Sequence, residues 1–261
     1  MKIPIFQIDT FTNSLFSGNP AAVCPLDKWL PDEQLLSIAA ENNLSETAFF
    51  VKEKGVYSLR WFSPVTEVDL CGHATLAAAF VVLNHIAPLK RYVDFYTRSG
   101  RLSVKRNGKF LAMSFPRRDP VICKAPDGLI NALGKKPKKL FASRDYMALY
   151  DSEDDIKSIN PDMHALKDID RLGVIVTATG KKSDFVSRFF APKAGIPEDP
   201  VTGSAHCTLI PFWAKQLRKE RLHSIQLSKR RGELFCELQD HNVIITGQAK
   251  LYLSGNILIR G

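Results

Sequence analysis

Residues 60–74 read Arg60-Trp61-Phe62-Ser63-Pro64-Val65-Thr66-Glu67-Val68-Asp69-Leu70-Cys71-Gly72-His73-Ala74. The same plan returns 128 residues later. Arg188-Phe189-Phe190-Ala191-Pro192 is followed by an acidic loop, Glu198-Asp199-Pro200-Val201-Thr202, and then Gly203-Ser204-Ala205. In both copies an aromatic, β-type run ends at a proline, and a loop leads to a Gly-X-Ala step. A long apolar stretch comes next. A third match, Ser99-Gly100-Arg101-Leu102 against Arg231-Gly232-Glu233-Leu234, follows at nearly the same spacing. Ordered matches at an offset of about half the chain predict two lobes of one plan, since internal repetition is the signature of duplicated structure. A duplicated chain usually places its site where equivalent elements face each other.

Outward from the repeat, short β-type runs dominate. In the first half they are Ile3–Phe11, Ala21–Cys24, Thr47–Lys52, Tyr57–Ser63, Val93–Thr97, Leu102–Lys105 and Phe110–Phe115. In the second half they are Tyr146–Tyr150, Gly173–Thr177, Phe185–Ala191, Ser224–Ser228, Leu234–Leu238, Val243–Thr246 and Ile257–Ile259. They are rich in Val, Ile, Phe and Tyr and are separated by turn residues. Helical spacing predicts Asp32–Asn42, with Leu35, Leu36, Ile38 and Ala39 on one face. Shorter helices are expected at Asp127–Leu133 and within Ser152–Lys167. Gly72–Asn84 and Gly203–Leu217 are apolar nearly all round and should be buried on every side. Pro211 lies inside the second of these and is expected to kink or end it.

The chain has 261 residues, 45% apolar and 24% charged, which excludes disordered, collagen-like and coiled-coil classes. The longest nearly uninterrupted apolar run, Ala74–Leu83, is too short to cross a bilayer, and the N-terminal residues alternate in a way unlike a signal peptide. Five cysteines without a CxxC pair fit neither a disulfide framework nor a zinc ribbon, so a soluble cytoplasmic protein is expected. The formal charge is +9, but its basic clusters, such as Lys135-Lys136-Pro137-Lys138-Lys139, are dispersed. No nucleic-acid-binding motif accompanies them, so solvated faces are expected rather than a nucleic-acid partner. The chain has no GxGxxG, Walker A or GxSxG motif.

The helix starts at Gly72 and Gly203 are ready anion sites, because unsatisfied N–H groups and the dipole favour negative charge, and glycine admits close approach. Two of them would suit a carboxylated small molecule. Glu46, entering the apolar run Thr47-Ala48-Phe49-Phe50, is a candidate acid/base, because burial raises a carboxyl pKa. On sequence alone the more ordinary reading is an exposed acid at a strand start. Asp199 can orient a substrate group or simply cap the helix that follows it. His73 is structural or catalytic. Cys71-Gly72-His73 and His206-Cys207 lack the spacing of a dedicated zinc site, so no metal is expected.

Four motifs in order resemble the PhzF-like family of phenazine-biosynthesis isomerases. They are Phe16-Ser17-Gly18-Asn19-Pro20-Ala21-Ala22-Val23, Leu44-Ser45-Glu46-Thr47-Ala48-Phe49, Cys71-Gly72-His73-Ala74-Thr75 and Glu198–His206. The resemblance implies a diaminopimelate-epimerase-like α+β fold. Its two similar lobes form a pseudo-two-fold duplication, each a curled, mostly antiparallel sheet wrapped around a central helix, with the site between them. The lobes would cover residues 1–117, completed by a final strand at about 252–261, and residues 118–251. It further implies cofactor-free catalysis and, commonly, a homodimer. The substrate does not transfer with the resemblance, and a small carboxylated metabolite, cyclic or unsaturated, is expected. Glu46 would be the general acid/base, with His73 and Asp199 assisting. Ser204 and Asn19 would contact substrate, and Gly72 and Gly203 would bind an anion through backbone. The epimerases of this fold use two facing thiols. Aligning Cys71-Gly72 with Thr202-Gly203 leaves one, so two-base cysteine racemisation is not expected. The alternatives are a Cys71-dependent racemase or epimerase and a non-catalytic binding protein.

Overall fold

The computed structural model describes residues 1–259, which separate into two compact units. The first comprises Met1–Ser114 with the last stretch of chain from Thr246, and the second Phe115–Ile245. The chain passes from one to the other inside a strand each time.

The first unit contains β1 (Lys2–Thr10), β2 (Asn19–Leu26), α1 (Asp32–Asn42), β3 (Thr47–Glu53), β4 (Val56–Phe62), β5 (Glu67–Val68), α2 (Gly72–Val81), β6 (Tyr92–Thr97), β7 (Gly100–Asn107) and β8 (Phe110–Pro116). The sequence places α1 cleanly. Pro31 precedes it with extended backbone, Asp32 and Glu33 face the positive end of the dipole, and Leu35, Ile38 and Ala39 are buried. Asn43 ends it in the left-handed region (φ 47°), returning its N–H to Ala39 and Ala40. The crossover through α1 makes β3 parallel to β2, and the one through α2 makes β6 parallel to β4. The remaining neighbours are antiparallel hairpins. In the β3–β4 hairpin Lys54 and Gly55 both take positive φ, as a two-residue primed turn requires.

The second unit contains β9 (Val121–Ile122), α3 (Leu129–Leu133), β10 (Lys139–Ala142), β11 (Tyr146–Leu149), α4 (Glu153–Ser158), β12 (Val174–Thr179), β13 (Phe185–Phe190), α5 (Gly203–Leu217), β14 (Arg221–Gln226), β15 (Gly232–Gln239) and β16 (Asn242–Gly247). Its order of pairings repeats the first. A hairpin (β10–β11) leads into a parallel crossover (β11–β12), another hairpin (β12–β13) and a second parallel crossover through α5 (β13–β14). The final strand, β17 (Ala249–Leu258), pairs with β1 in the first unit. It begins earlier than expected, and residues 260–261 of the expected strand lie outside the described residues.

The repeat extends to side chains. Arg60 grips Glu67 with two bonds of 2.7 and 2.8 Å and lies 5.0 Å from the Phe62 ring. Arg188 grips Glu198 at 2.7 and 3.0 Å and lies 4.8 Å from the Phe190 ring. Ser99 Oγ donates to Asp69 O and Ser228 Oγ to Pro200 O, both at 2.8 Å. The same strand ends and loops are therefore tied by like bonds, although Ser228 precedes the position aligned with Ser99. The third arm of each arginine differs. Arg60 reaches the exposed Asp32, whereas Arg188 donates to the carbonyls of Ile156 and Ile159. Removing Arg188 leaves Glu198 and both carbonyls without a partner, so Arg188→Met should cost about 2–3 kcal/mol. Arg60→Met should cost about 1 kcal/mol less, because Asp32 is solvated. Urea titrations of the two variants check this, and equal losses would contradict it.

The two central helices differ from expectation in their regularity. α2 ends at Val81, earlier than expected, and the chain widens into one π-turn, Val82–Ile86, closed by Ala87 N–H on Val82 O at 2.7 Å. α5 runs through Pro211 rather than stopping there. A proline leaves the carbonyl four residues back without its helical donor, here that of Cys207. Arg118 N–H supplies the missing bond at 2.9 Å, so continuing the helix orphans no group. Both helices are buried on nearly all faces, α2 against β1, β2, β3 and β17, and α5 against β14 and β15. Among the described residues no helix is long and apolar enough to cross a membrane.

Candidate functional site

Two sets of polar groups are gathered at the starts of the central helices. In the first unit Glu46 stands just before β3, where its backbone carbonyl accepts from Ala22 N–H at 3.3 Å. Its side chain is only 12% exposed. The reading of Glu46 as an exposed acid at a strand start is therefore set aside, because β2 and α2 close over this end of the strand. His73, in the first turn of α2, brings Nε2 to 3.2 Å from Glu46 Oε2, close in distance but off hydrogen-bond alignment. Cys71 is the N-cap residue of α2, and its Sγ lies 3.4 Å from His73 Nδ1. Thr75 locks residue 71 in place, with N–H (3.2 Å) and Oγ1 (2.5 Å) both bonding the Cys71 carbonyl.

Burial drives the His73 pKa down from 6.5 to about 3 by desolvating the imidazolium. The ring is thus neutral at physiological pH, and its approach to Glu46 is an imidazole–carboxylate contact rather than an ion pair. Donor atoms of Glu46, Cys71 and His73 lie within 4.8 Å of one another, a set that invites a metal. The closest approaches use opposite edges of the ring, sulfur at Nδ1 and oxygen at Nε2. One ion takes one imidazole nitrogen. The arrangement is therefore a compact cluster of thiol, imidazole and carboxylate in which sulfur approaches the ring at Nδ1 and oxygen approaches it at Nε2.

In the second unit, Asp199 sits in the loop before α5. Its Oδ2 accepts from the Thr202 hydroxyl at 2.6 Å, and its N–H bonds Phe189 O at 3.1 Å. Gln226, fully buried on β14, clamps this loop. Its Oε1 accepts from Thr202 N–H (2.9 Å), and its Nε2 donates to Asp199 O (2.8 Å) and to Thr202 Oγ1 (3.1 Å). His206 ties the first turn to the same strand through Thr202 O (2.8 Å) and Ser224 Oγ (2.9 Å). Burial lowers its pKa to about 4. No side chain caps either central helix, and neither first turn carries an acid, as an anion-binding start requires.

Of the residues expected from sequence, the first unit brings Glu46 and His73 together, with Gly72 between Cys71 and His73. Asn19 is fully buried at the start of β2, and its carbonyl accepts from Thr10 Oγ1 at 2.8 Å. The turn before it demands Gly18. At φ 70° an added Cβ would lie 2.1 Å from Thr10 O. Asp199, Gly203 and Ser204 belong to the second unit, with Gly203 buried and Ser204 half-buried at the head of α5. Sequence reasoning passed over Gln226 and Ser224 and weighed His206 only as a metal ligand. The signal available was the alternation Ser224-Ile225-Gln226-Leu227-Ser228, a strand whose polar residues share one face.

The buried histidines give a pH signature. A histidine whose folded pKa is depressed binds its proton more readily when unfolded. Stability is therefore unaffected above pH 6.5 and falls as pH drops toward the folded values of about 3 and 4. Between pH 6 and 5 each of these two histidines should remove about 1 kcal/mol. Urea unfolding of wild type and His206→Gln at both pH values tests this. The variant should lose about half as much, and equal slopes would contradict the assignment.

The chain matches the phenazine biosynthesis-like protein family (PhzC-PhzF) over residues 8–255. It is 51% identical to an uncharacterized isomerase of Pseudomonas aeruginosa over 257 residues, 98% of this chain and 99% of the relative. It is also similar to the crystal structure of a PhzF-family protein from Enterococcus faecalis. That likeness has a TM-score of 0.97 at 45% identity and covers 99% of this chain and 100% of the other. A probable proline racemase from Agrobacterium radiobacter shares the fold at a TM-score of 0.65 and 10% identity, covering 99% of this chain and 93% of the other.

Proposed function

The chain belongs to the phenazine biosynthesis-like (PhzC-PhzF) family, and from that premise we propose that it is an isomerase moving a proton on a small carboxylated metabolite. Glu46 removes the proton from carbon and returns it at another position, with no cofactor taking part. The observation that carries this reading is the buried Glu46 carboxyl facing an imidazole that burial keeps neutral. A carboxylate shielded from water and close to a neutral polar group is a stronger base than a solvated one, which suits proton transfer near neutrality. A charged imidazolium in the same place would instead depress its basicity.

His73 accompanies the proton transfer in this reading. Asp199, held by Thr202, takes a polar group of the substrate, and Asn19 and Ser204 are further contacts. The backbone N–H groups at Gly72 and at Gly203 are the anion-binding groups of their units in this reading. Two-base thiol chemistry is disfavoured because the residue aligned with Cys71 is Thr202, whose hydroxyl is committed to Asp199 at 2.6 Å.

The test is a proton NMR survey of cyclic and unsaturated carboxylates incubated with the purified protein without added cofactor. Conversion of an acid to its isomer, with its methyl ester left unchanged, is the expected result. Conversion of ester and acid at equal rates would refute the carboxylate assignment, and inversion of a chiral centre without bond migration would favour an epimerase.

A further inference from the structure

We infer that Cys71 is a positioning residue whose thiol holds His73 Nδ1 and so fixes the imidazole in the tautomer that carries its proton on Nε2, toward Glu46. The inference deepens the reading of Glu46 as the base and rests on it.

A neutral imidazole has one N–H and one lone pair, and the partner of either nitrogen decides which is which. The group at Nδ1 is the Cys71 sulfur, 3.4 Å away, with both side chains buried. A thiol is a weak donor and a neutral sulfur a weak acceptor, whereas an imidazole lone pair is a strong acceptor. The favoured pairing is therefore S–H donating to Nδ1, and the ring proton is left on Nε2. Nε2 lies 3.2 Å from Glu46 Oε2, off hydrogen-bond alignment, so its proton acts on the carboxylate as a nearby positive dipole and favours the ionised form able to accept a proton from carbon. With the proton on Nδ1 instead, a nitrogen lone pair would face the carboxylate lone pairs in a dry site. Relief would come only if Glu46 took up a proton from water, and a carboxyl already protonated is no base. The thiol thus biases the protonation state of Glu46 through the ring.

The duplicated plan supports this use of the helix-cap side chain. Thr202, aligned with Cys71, also donates from the position before the helix-start glycine, to Asp199 Oδ2 at 2.6 Å. In each unit the cap residue orients a nearby polar group. The backbone of residue 71 is fixed by both bonds from Thr75, so the sulfur is aimed rather than loosely placed.

The test reads the ring directly and needs no substrate. Full-length protein labelled with nitrogen-15 in histidine is compared with Glu46→Gln, in which an amide can serve either tautomer and Cys71 alone decides. Wild type and Glu46→Gln should both show a protonated, pyrrole-type Nε2 and a pyridine-type Nδ1 at His73. Adding Cys71→Ala to Glu46→Gln should shift the ring to a tautomer mixture, and Cys71→Ser in the same background should restore it. A pyrrole-type Nδ1 in wild type would overturn the inference, and so would ring signals unchanged by Cys71→Ala. With Glu46 intact and a turned-over substrate, Cys71→Ser should stay within about threefold of wild type and Cys71→Ala should fall by about tenfold. If Cys71→Ser fell as far as Glu46→Gln, the thiol itself would be transferring the proton. Should Glu46→Gln turn over normally while the ring signals behave as described, the base assignment fails and the tautomer assignment stands.

Discussion

Glu46→Gln lowers turnover by about 100- to 10,000-fold and leaves substrate affinity nearly unchanged, the range that a positioned general base contributes. The amide keeps the size of the side chain and can still bond His73, so neither the end of β3 nor the first turn of α2 need shift. What it lacks is the capacity to accept a proton. A loss confined to kcat, with binding preserved in calorimetry, marks an interaction made in the transition state rather than in the bound complex. Near wild-type turnover would remove Glu46 from the mechanism. A large rise in KM at constant kcat would make it a binding residue.

Gln226→Leu destabilises the second unit by about 3 kcal/mol or more. Leucine is similar in size, so no large cavity forms, and the loss comes from hydrogen bonding. Three buried hydrogen bonds are lost at once, those of Thr202 N–H and Asp199 O and one of the two at Thr202 Oγ1, which keeps Asp199. Each orphaned group costs about 1–3 kcal/mol, reduced where a water can enter. Gln226→Glu keeps an acceptor for Thr202 N–H but loses both donors, so it should fall between wild type and leucine. Urea unfolding measures the stability. If Asp199 serves the substrate, the leucine variant should also bind it at least tenfold more weakly, because the Asp199–Thr202 loop is no longer clamped. A stability loss below 1 kcal/mol would show that the clamp is not needed.

The duplication was legible because its marks are local. Arg-aromatic-aromatic strand ends, prolines and Gly-X-Ala steps recur in order, and both Arg–Glu forks fall on the recurring positions. Helix α1 was legible to its last residue because acids, apolar spacing and a left-handed Asn43 agree with one another. The course of α5 was not legible. Whether Pro211 stops a helix depends on a donor for the Cys207 carbonyl, and that donor, Arg118, lies far away in sequence. Strand β10 was hidden for a similar reason. It starts at Lys139, at the end of a lysine cluster that reads as a solvated face. At the site, the types and order of Glu46, His73 and Asp199 were readable, but their surroundings were not. The contact of Cys71 with Nδ1 and the Gln226 clamp are set by packing across distant segments, which no local pattern encodes.

The central claim is that this protein breaks a carbon–hydrogen bond through Glu46. The measurement that tests it most directly follows deuterium placed at the carbon that loses its proton in a turned-over carboxylated substrate. The account predicts that wild type releases the deuterium from that carbon with a slowed rate, whether the shielded carboxyl then delivers it to the new position or exchanges it with water. It also predicts that Glu46→Gln leaves the label in place. Product that retains full deuterium at the original carbon, or release that persists undiminished in Glu46→Gln, would contradict it.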